Sequence, residues 1–285
     1  IAIIAMLSIV AHLFGVDTRY LKPNGLDLRS LLFVAVFFGF AGSFLSLLMS
    51  KFMAKWTMKI ELIEHPRAKK EKLVYDVVQK IAQQENIKMP EVGVYPSDEV
   101  NAFATGWRKN SSLVAVSAGL LHHMNEDEIE GVVSHEMAHI INGDMITMGL
   151  IQGVVNTFVI FFARIAAYAV QSALRGKEGG QAVGGFAYMG LSILFEIIFG
   201  LMASTIVMGF SRWREFHADS GGAKYAGPQK MIAALEKLQK MQDRIDTSKK
   251  SMATMKIADK SALFMLFSSH PPLEKRIEAL KSAKY

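Results

Sequence analysis

Three long apolar runs limit what this chain can fold into. Residues 31–49 carry no charge, residues 145–174 carry only Arg164, and residues 186–210 carry only Glu196. As a helix rising 1.5 Å per residue, each run can cross a hydrocarbon core of about 30 Å. They account for a hydrophobic content of 51% and a mean hydropathy of +0.24, too apolar for an ordinary soluble chain. Residues 1–14 form a fourth apolar run, short for a span. Because the sequence begins at Ile1 rather than Met, the start of this helix is expected to be missing; a cleaved signal peptide is the alternative, but the run has no obvious small-x-small cleavage site. The pattern predicts an α-rich α+β integral membrane protein with about four transmembrane helices.

Orientation follows from the flanking cations. Lys51, Lys55, Lys59, Arg67, Lys69, Lys70 and Lys72 follow the second run, against Arg19, Lys22 and Arg29 before it and Arg175 and Lys177 between the last two. The positive-inside rule then places residues 50–144 and 211–285 in the cytoplasm. The expected organisation is transmembrane helices 1 and 2 in residues 1–50, a cytoplasmic part in 51–144, a transmembrane hairpin of helices 3 and 4 in 145–210, and a second cytoplasmic part in 211–285. The absence of cysteine excludes disulfides and thiolate metal sites, which suits a cytoplasm-facing domain. A net charge of +6 is explained by Lys and Arg near anionic headgroups. The lipid bilayer is thus an expected partner and nucleic acid is not, since the basic residues track the membrane edge without a recognition motif. Arg164 and Glu196 need a reason, because a charge in hydrocarbon costs at least about 2.5 kcal/mol. They read as a structural pair between the last two spans, with Arg164 partly snorkelling, and a proton or ion pathway is the functional alternative.

Residues 135–139 read His-Glu-Met-Ala-His. On a helix, positions four apart share a face, so His135 and His139 can aim ring nitrogens at one Zn²⁺ per chain. Glu136 then stands beside the metal without ligating it, placed to take a proton from bound water whose pKa the metal lowers from about 15.7 to roughly 7. Asn125 with Glu128 reads as a capping box, Ile129, Val132, Val133 and Met137 supply an apolar face, and Asn142-Gly143 ends the helix.

A catalytic zinc takes three protein ligands and leaves the fourth position to water. The extended pattern with a third His is excluded, because its Gly and His positions are Asn142 and Met145. Downstream, residues 211–219 read Ser-Arg-Trp-Arg-Glu-Phe-His-Ala-Asp, with Glu215 and Asp219 four apart. Glu215 is assigned to the zinc, and Asp219 to orienting the imidazole of His135 or His139. The bland alternative, a solvated charged turn, loses weight because the HExxH pattern stands upstream, and the placement of both halves on the cytoplasmic side of the predicted membrane hairpin is independent support.

The soluble portion adds an amphipathic helix over residues 70–85 and short strands over 91–95, 102–105 and 112–116, separated by Pro96, Gly106 and residues 109–111. A small sheet packed on such a metal helix resembles the upper lobe of a zincin. There an extended peptide lies along a sheet edge, for which Asn101, Ala102 and Phe103 are the candidates. An ordinary turn entry with Phe103 in the core is the alternative. A helix is expected over 228–241, a mobile loop over 242–260, and a short helix after His270-Pro271-Pro272. His270 and Arg276 are candidates to reach the cleft as oxyanion donors, or, for His270, to fill the open zinc position. A His before Pro-Pro also reads as a turn residue.

Taken together, residues 101–106 (Asn-Ala-Phe-Ala-Thr-Gly), 113–117, 135–145, 211–219 and 270–276 resemble the HtpX family of bacterial inner-membrane zinc endopeptidases, a gluzincin-type HExxH…ExxxD arrangement, over nearly the whole chain. The resemblance implies zinc ligands His135, His139 and Glu215, the base Glu136, four spans and a cytoplasm-facing active site in the inner membrane. It also implies protein substrates, chiefly misfolded or damaged membrane proteins, and a role in quality control under stress. The amino terminus departs from the family by lacking its start. Homo-oligomerisation or association with other quality-control proteases stays open. Two competing readings are a membrane scaffold or transporter with a structural zinc, which needs a fourth ligand such as His217 or His270, and a prenyl-protein protease, disfavoured by only about four spans.

Overall fold

The computed structural model describes residues 21–22, 25–175, 185–252 and 269–283. The expected first span over residues 1–14 lies outside them. In chain order the elements are β1 Leu21–Lys22, β2 Gly25–Leu26, α1 Leu28–Thr57, β3 Glu61–Leu62, α2 Lys69–Gln84, β4 Glu91–Tyr95, β5 Ala102–Arg108, β6 Ser111–Ser117, α3 Ala118–His123, α4 Glu126–Asn142, α5 Asp144–Arg175, α6 Gly185–Ala226, α7 Pro228–Met252 and α8 Leu273–Ser282. The fold is mostly helical α+β, and among the described residues three helices, α1, α5 and α6, are long and apolar enough to cross a membrane. The chain divides into two compact units, Ile1–Ser46 with Met148–Val207 and Leu47–Thr147 with Met208–Tyr285.

In the first unit, α1 and α5 meet through small residues at four-residue spacing: Ala35, Gly39 and Ser43 on one, Gly149, Gly153 and Thr157 on the other. A Cβ on Gly39 would lie 2.5 Å from Thr157 Oγ1 and 3.0 Å from the Gly153 carbonyl. Ser43 donates to the Gly149 carbonyl at 2.6 Å. Helices in lipid gain nothing from hiding apolar surface, so close backbone approach and interhelical hydrogen bonds hold them together. Large apolar side chains such as Phe33, Phe44, Ile197 and Met202 point outward. Arg164 Nη1 lies 2.9 Å from Glu196 Oε1, pairing α5 with α6.

The second unit is built on a mixed sheet in the order β3-β4-β6-β5. β4 and β6 run parallel, while β3 and β5 pair antiparallel to their neighbours. Strand β6 is buried on both faces. Val114 and Val116 face Val74, Val78 and Ile81 of α2 and the apolar side of α4, while Leu113 and Ala115 face Tyr95 and Phe103. That two-sided burial explains why residues 113–116 read as a continuous apolar run rather than an alternating one. Gly106 does not end a strand as its sequence position suggests. It lies inside β5 at φ +138° where the register shifts, and a Cβ there would be 2.4 Å from the Ser111 carbonyl. The bulge carries β5 on to Arg108, and β5 is the last strand in the sheet order.

Helix α4 begins as its residues predict: Asn125 accepts from the Glu128 amide at 2.9 Å, and Glu128 accepts in return from the Asn125 amide at 2.8 Å. It ends at Gly143, whose φ of +74° is the left-handed cap that glycine adopts without strain. Two neighbours press against α4 at glycines. A Cβ on Gly222 would lie 3.1 Å from the His135 amide nitrogen, one on Gly221 would lie 2.6 Å from Ala138 Cβ, and one on Gly131 would lie 2.6 Å from the Lys230 carbonyl. The loop expected from residue 242 is corrected by the structure, in which α7 runs on to Met252. Residues 242–252 contain no Gly or Pro, and Gln, Arg, Lys and Met favour helix, so weak apolar periodicity did not break it. The remainder of that stretch, residues 253–260, lies outside the described residues.

Candidate metal centre

The last turns of α6 carry the second half of the site. This helix continues without a break through residues 211–219, so Glu215 and Asp219, four apart, share the face turned to α4. His135 Nε2 lies 3.6 Å from Glu215 Oε2, and His139 Nε2 lies 3.5 Å from Glu215 Oε1. The three ligand atoms fall within 4.8 Å of one another, and all three side chains are buried. Ligands about 2.0–2.1 Å from a tetrahedral Zn²⁺ are roughly 3.3 Å apart, so the spacing fits that ion. Glu215 is 1% exposed, yet neither of its buried oxygens receives a hydrogen bond of good geometry among the described residues. Two imidazoles and a buried carboxylate converging in this way form a donor set that suits a bound Zn²⁺.

The other ring nitrogens point to carboxylates. His135 Nδ1 is 3.0 Å from Asp219 Oδ1, an ion-pair distance without the angle of a good hydrogen bond. His139 Nδ1 is 2.6 Å from Asp144 Oδ2. Arg276, 6% exposed, grips Asp219 through Nε at 2.8 Å and Nη2 at 2.6 Å and places Nη1 3.2 Å from Glu215 Oε2. Burial opposes ionisation of Glu215, but His135, His139 and His270 hold its carboxyl far below the usual range. Burial likewise opposes protonation of His135, and Asp219 and Glu215 outweigh it, pushing the imidazole up to about 9 without a metal.

Every residue singled out from the sequence can now be placed. Glu136 is half-buried on α4 beside the ligand pair. His270, on the turn before α8, has an exposed side chain whose Nδ1 reaches 2.9 Å from Glu215 Oε2. Arg276 is buried with its guanidinium on Asp219 and beside Glu215. His217 packs at a tilt of 43° on Trp213, 3.9 Å between centroids, and sets Nδ1 3.0 Å from the Trp213 carbonyl, so it stands outside the ligand group. Asn101 is exposed and exchanges hydrogen bonds with Ser117, its amide donating to Ser117 Oγ at 3.1 Å and its carbonyl accepting from the Ser117 amide at 2.9 Å. Ala102 and Phe103 open the edge strand, and Phe103 packs on Tyr95 at 5.7 Å. Asp144 was not anticipated. Its one signal in the sequence is an acidic residue directly after the glycine that ends the metal helix.

The model of peptidase family M48 matches residues 68–284. Protease HtpX of Tolumonas auensis is 51% identical over 281 residues, covering 98% of this chain and 93% of that protein. Protease HtpX of Chromohalobacter salexigens is 47% identical over 288 residues, covering 100% and 96%. Among solved structures, the crystal structure of S. mikatae Ste24p superposes with a TM-score of 0.64 at 19% identity, covering 98% of this chain and 65% of that one, a likeness of fold.

Proposed function

The chain belongs to peptidase family M48 as a membrane zinc metallopeptidase of the HtpX type, and from that premise we propose that it cuts misfolded or damaged membrane proteins on the cytoplasmic face of a bacterial inner membrane, as part of quality control under stress. The cytoplasmic placement of residues 51–144 and 211–285 completes the reading; the cations that follow α1 support it.

The observation that carries the chemistry is the convergence of His135, His139 and Glu215 with Glu136 on the same helix. Zinc held by those three residues would supply Lewis acidity to the scissile carbonyl and a water of lowered pKa. Glu136 accepts the proton of the attacking water and returns it to the leaving amine nitrogen, so one carboxylate serves both steps. The substrate lies extended along the outer edge of β5 beside Asn101, Ala102 and Phe103, where the main-chain groups not paired with β6 can hold it in a way that tolerates many sequences. The position of β5 at the end of the sheet supports this. His270 stands where it can donate to the developing oxyanion.

Glu136→Gln keeps the shape and removes the base. The expected outcome is unchanged zinc content with peptide cleavage reduced by at least about 10² to 10⁴-fold. Near-normal cleavage by a zinc-replete, contaminant-free mutant would remove Glu136 from the mechanism.

A further inference from the structure

We propose that Asp144 and Arg214 form a second positioning pair for the metal centre, acting on His139 as Asp219 and Arg276 act on His135; the inference rests on the metallopeptidase reading above. An imidazole can offer Nε2 to a cation only while its proton sits on Nδ1, and a carboxylate accepting from Nδ1 fixes that tautomer and the ring's direction. Asp144 Oδ2 is 2.6 Å from His139 Nδ1, and the Asp144 side chain is buried. Behind it, Arg214 lies with Nε 4.0 Å from Asp144 Oδ2 and Nη2 3.6 Å from Glu215 Oε1.

The two halves of the site therefore repeat one arrangement. Each imidazole faces Glu215 through Nε2 and an aspartate through Nδ1, and each aspartate has an arginine that also approaches Glu215. Arg276 Nη1 is 3.2 Å from Glu215 Oε2 and Arg214 Nη2 is 3.6 Å from Oε1. The Arg214 side is the looser of the two, since Arg214 also stands 4.0 Å from its aspartate where Arg276 makes two short contacts. A guanidinium charge thus stands near each oxygen of the ligating carboxylate.

Local backbone explains how Asp144 arrives there. Five residues past His139, a continuing helix would carry its side chain well around the axis and away from the ring. The left-handed turn at Gly143 breaks the helix and folds Asp144 back onto the ring's far nitrogen. An aspartate at the first position of α5 also suits the helix dipole. That role explains an acidic residue there, but not one sealed against an imidazole, since an exposed side chain would serve the dipole equally.

The test is zinc affinity of the full chain in detergent, measured by chelator competition, with secondary structure followed alongside. Asp144→Ala should weaken zinc binding about 10 to 100-fold. Asp144→Asn, nearly isosteric, should lose several-fold and carries the test if the alanine variant does not fold. Asp144→Ser still starts a helix well but cannot reach His139, so a role at the helix terminus alone predicts wild-type affinity for it, whereas the positioning role predicts the alanine result. In the zinc-loaded chain the Nδ1–H proton of His139 should move upfield and exchange faster with water in Asp144→Ala, because its carboxylate acceptor is gone. Arg214→Ala should weaken binding several-fold, Arg214→Lys should restore part of it, and adding Arg214→Ala to Asp144→Ala should cost little more. Folded Asp144 variants binding zinc within about twofold of wild type would overturn the pair. A wild-type chain that binds no zinc, or an active Glu136→Gln, would instead overturn the reading on which the pair rests.

Discussion

The arginine–carboxylate pair of the metal centre, Arg276 with Asp219, and the one between two long apolar helices, Arg164 with Glu196, are built differently. Arg276 and Asp219 share two short contacts, at 2.8 and 2.6 Å, and are 6% and 2% exposed. Arg164 and Glu196 meet at one 2.9 Å contact with both side chains partly exposed. The first pair does more than neutralise charge, because Asp219 also faces His135 and Arg276 also faces Glu215, so its geometry is transmitted to metal ligands. The second touches no metal ligand among the described residues, and a single contact with freedom to snorkel is enough to make a charge tolerable between apolar helices.

The largest effect should come from breaking the tighter pair. Arg276→Ala leaves two buried carboxylates without their guanidinium, and removing one partner of a buried pair costs about 3–5 kcal/mol. Denaturation of the metal-free protein should show that loss, and Arg276→Lys should recover only part, because an ammonium cannot make the paired contact. An equal loss from Arg164→Ala would erase the distinction between the pairs.

His270 sharpens it from the other side, since its exposed ring touches the same Glu215 without being packed in. His270→Ala should therefore leave stability and zinc content nearly intact while slowing turnover about 10² to 10³-fold, the usual effect of losing one oxyanion donor. Faster cleavage or self-cleavage would mean that the ring blocks the open metal position at rest. Unchanged turnover would make it a turn residue.

The smallest effect is expected in the membrane unit. Replacing both partners, Arg164→Met with Glu196→Leu, removes the charges together and should change stability by no more than about 1–2 kcal/mol in either direction, because paired removal leaves no orphan. Glu196→Leu alone should be worse than the double change. Thermal unfolding in detergent compares them, and a double variant worse than either single one would show that the charges serve something beyond each other.

What could be read from residues alone was local. The capping box at Asn125, the stop at Gly143 and the apolar face of α4 depend on neighbours within one helix, and all are present as their residue types require. The ligand set was legible because spacing on two helices restricts it. Arg276 was harder: it lies 57 residues from Asp219, so nothing in its own surroundings tells a cleft arginine from one that braces a carboxylate. Asp144 escaped for a related reason, since the turn that brings it back to His139 is an irregularity of the backbone rather than a period of the sequence. Gly106 misled because a glycine within a bulge and a glycine between strands look the same until pairing is known.

Gly222 brings neither charge nor donor to the site, yet a methyl group there would press 2.9 Å from Met231 Sδ and 3.1 Å from the His135 amide nitrogen. It acts as a gauge block. The clearance between α4 and α6 is set by a missing side chain, and that clearance fixes how far Glu215 and Asp219 stand from the two imidazoles. A scan that ranked positions by lost activity would therefore score this residue beside the metal ligands, and a chemist reading only side chains would find no reason why.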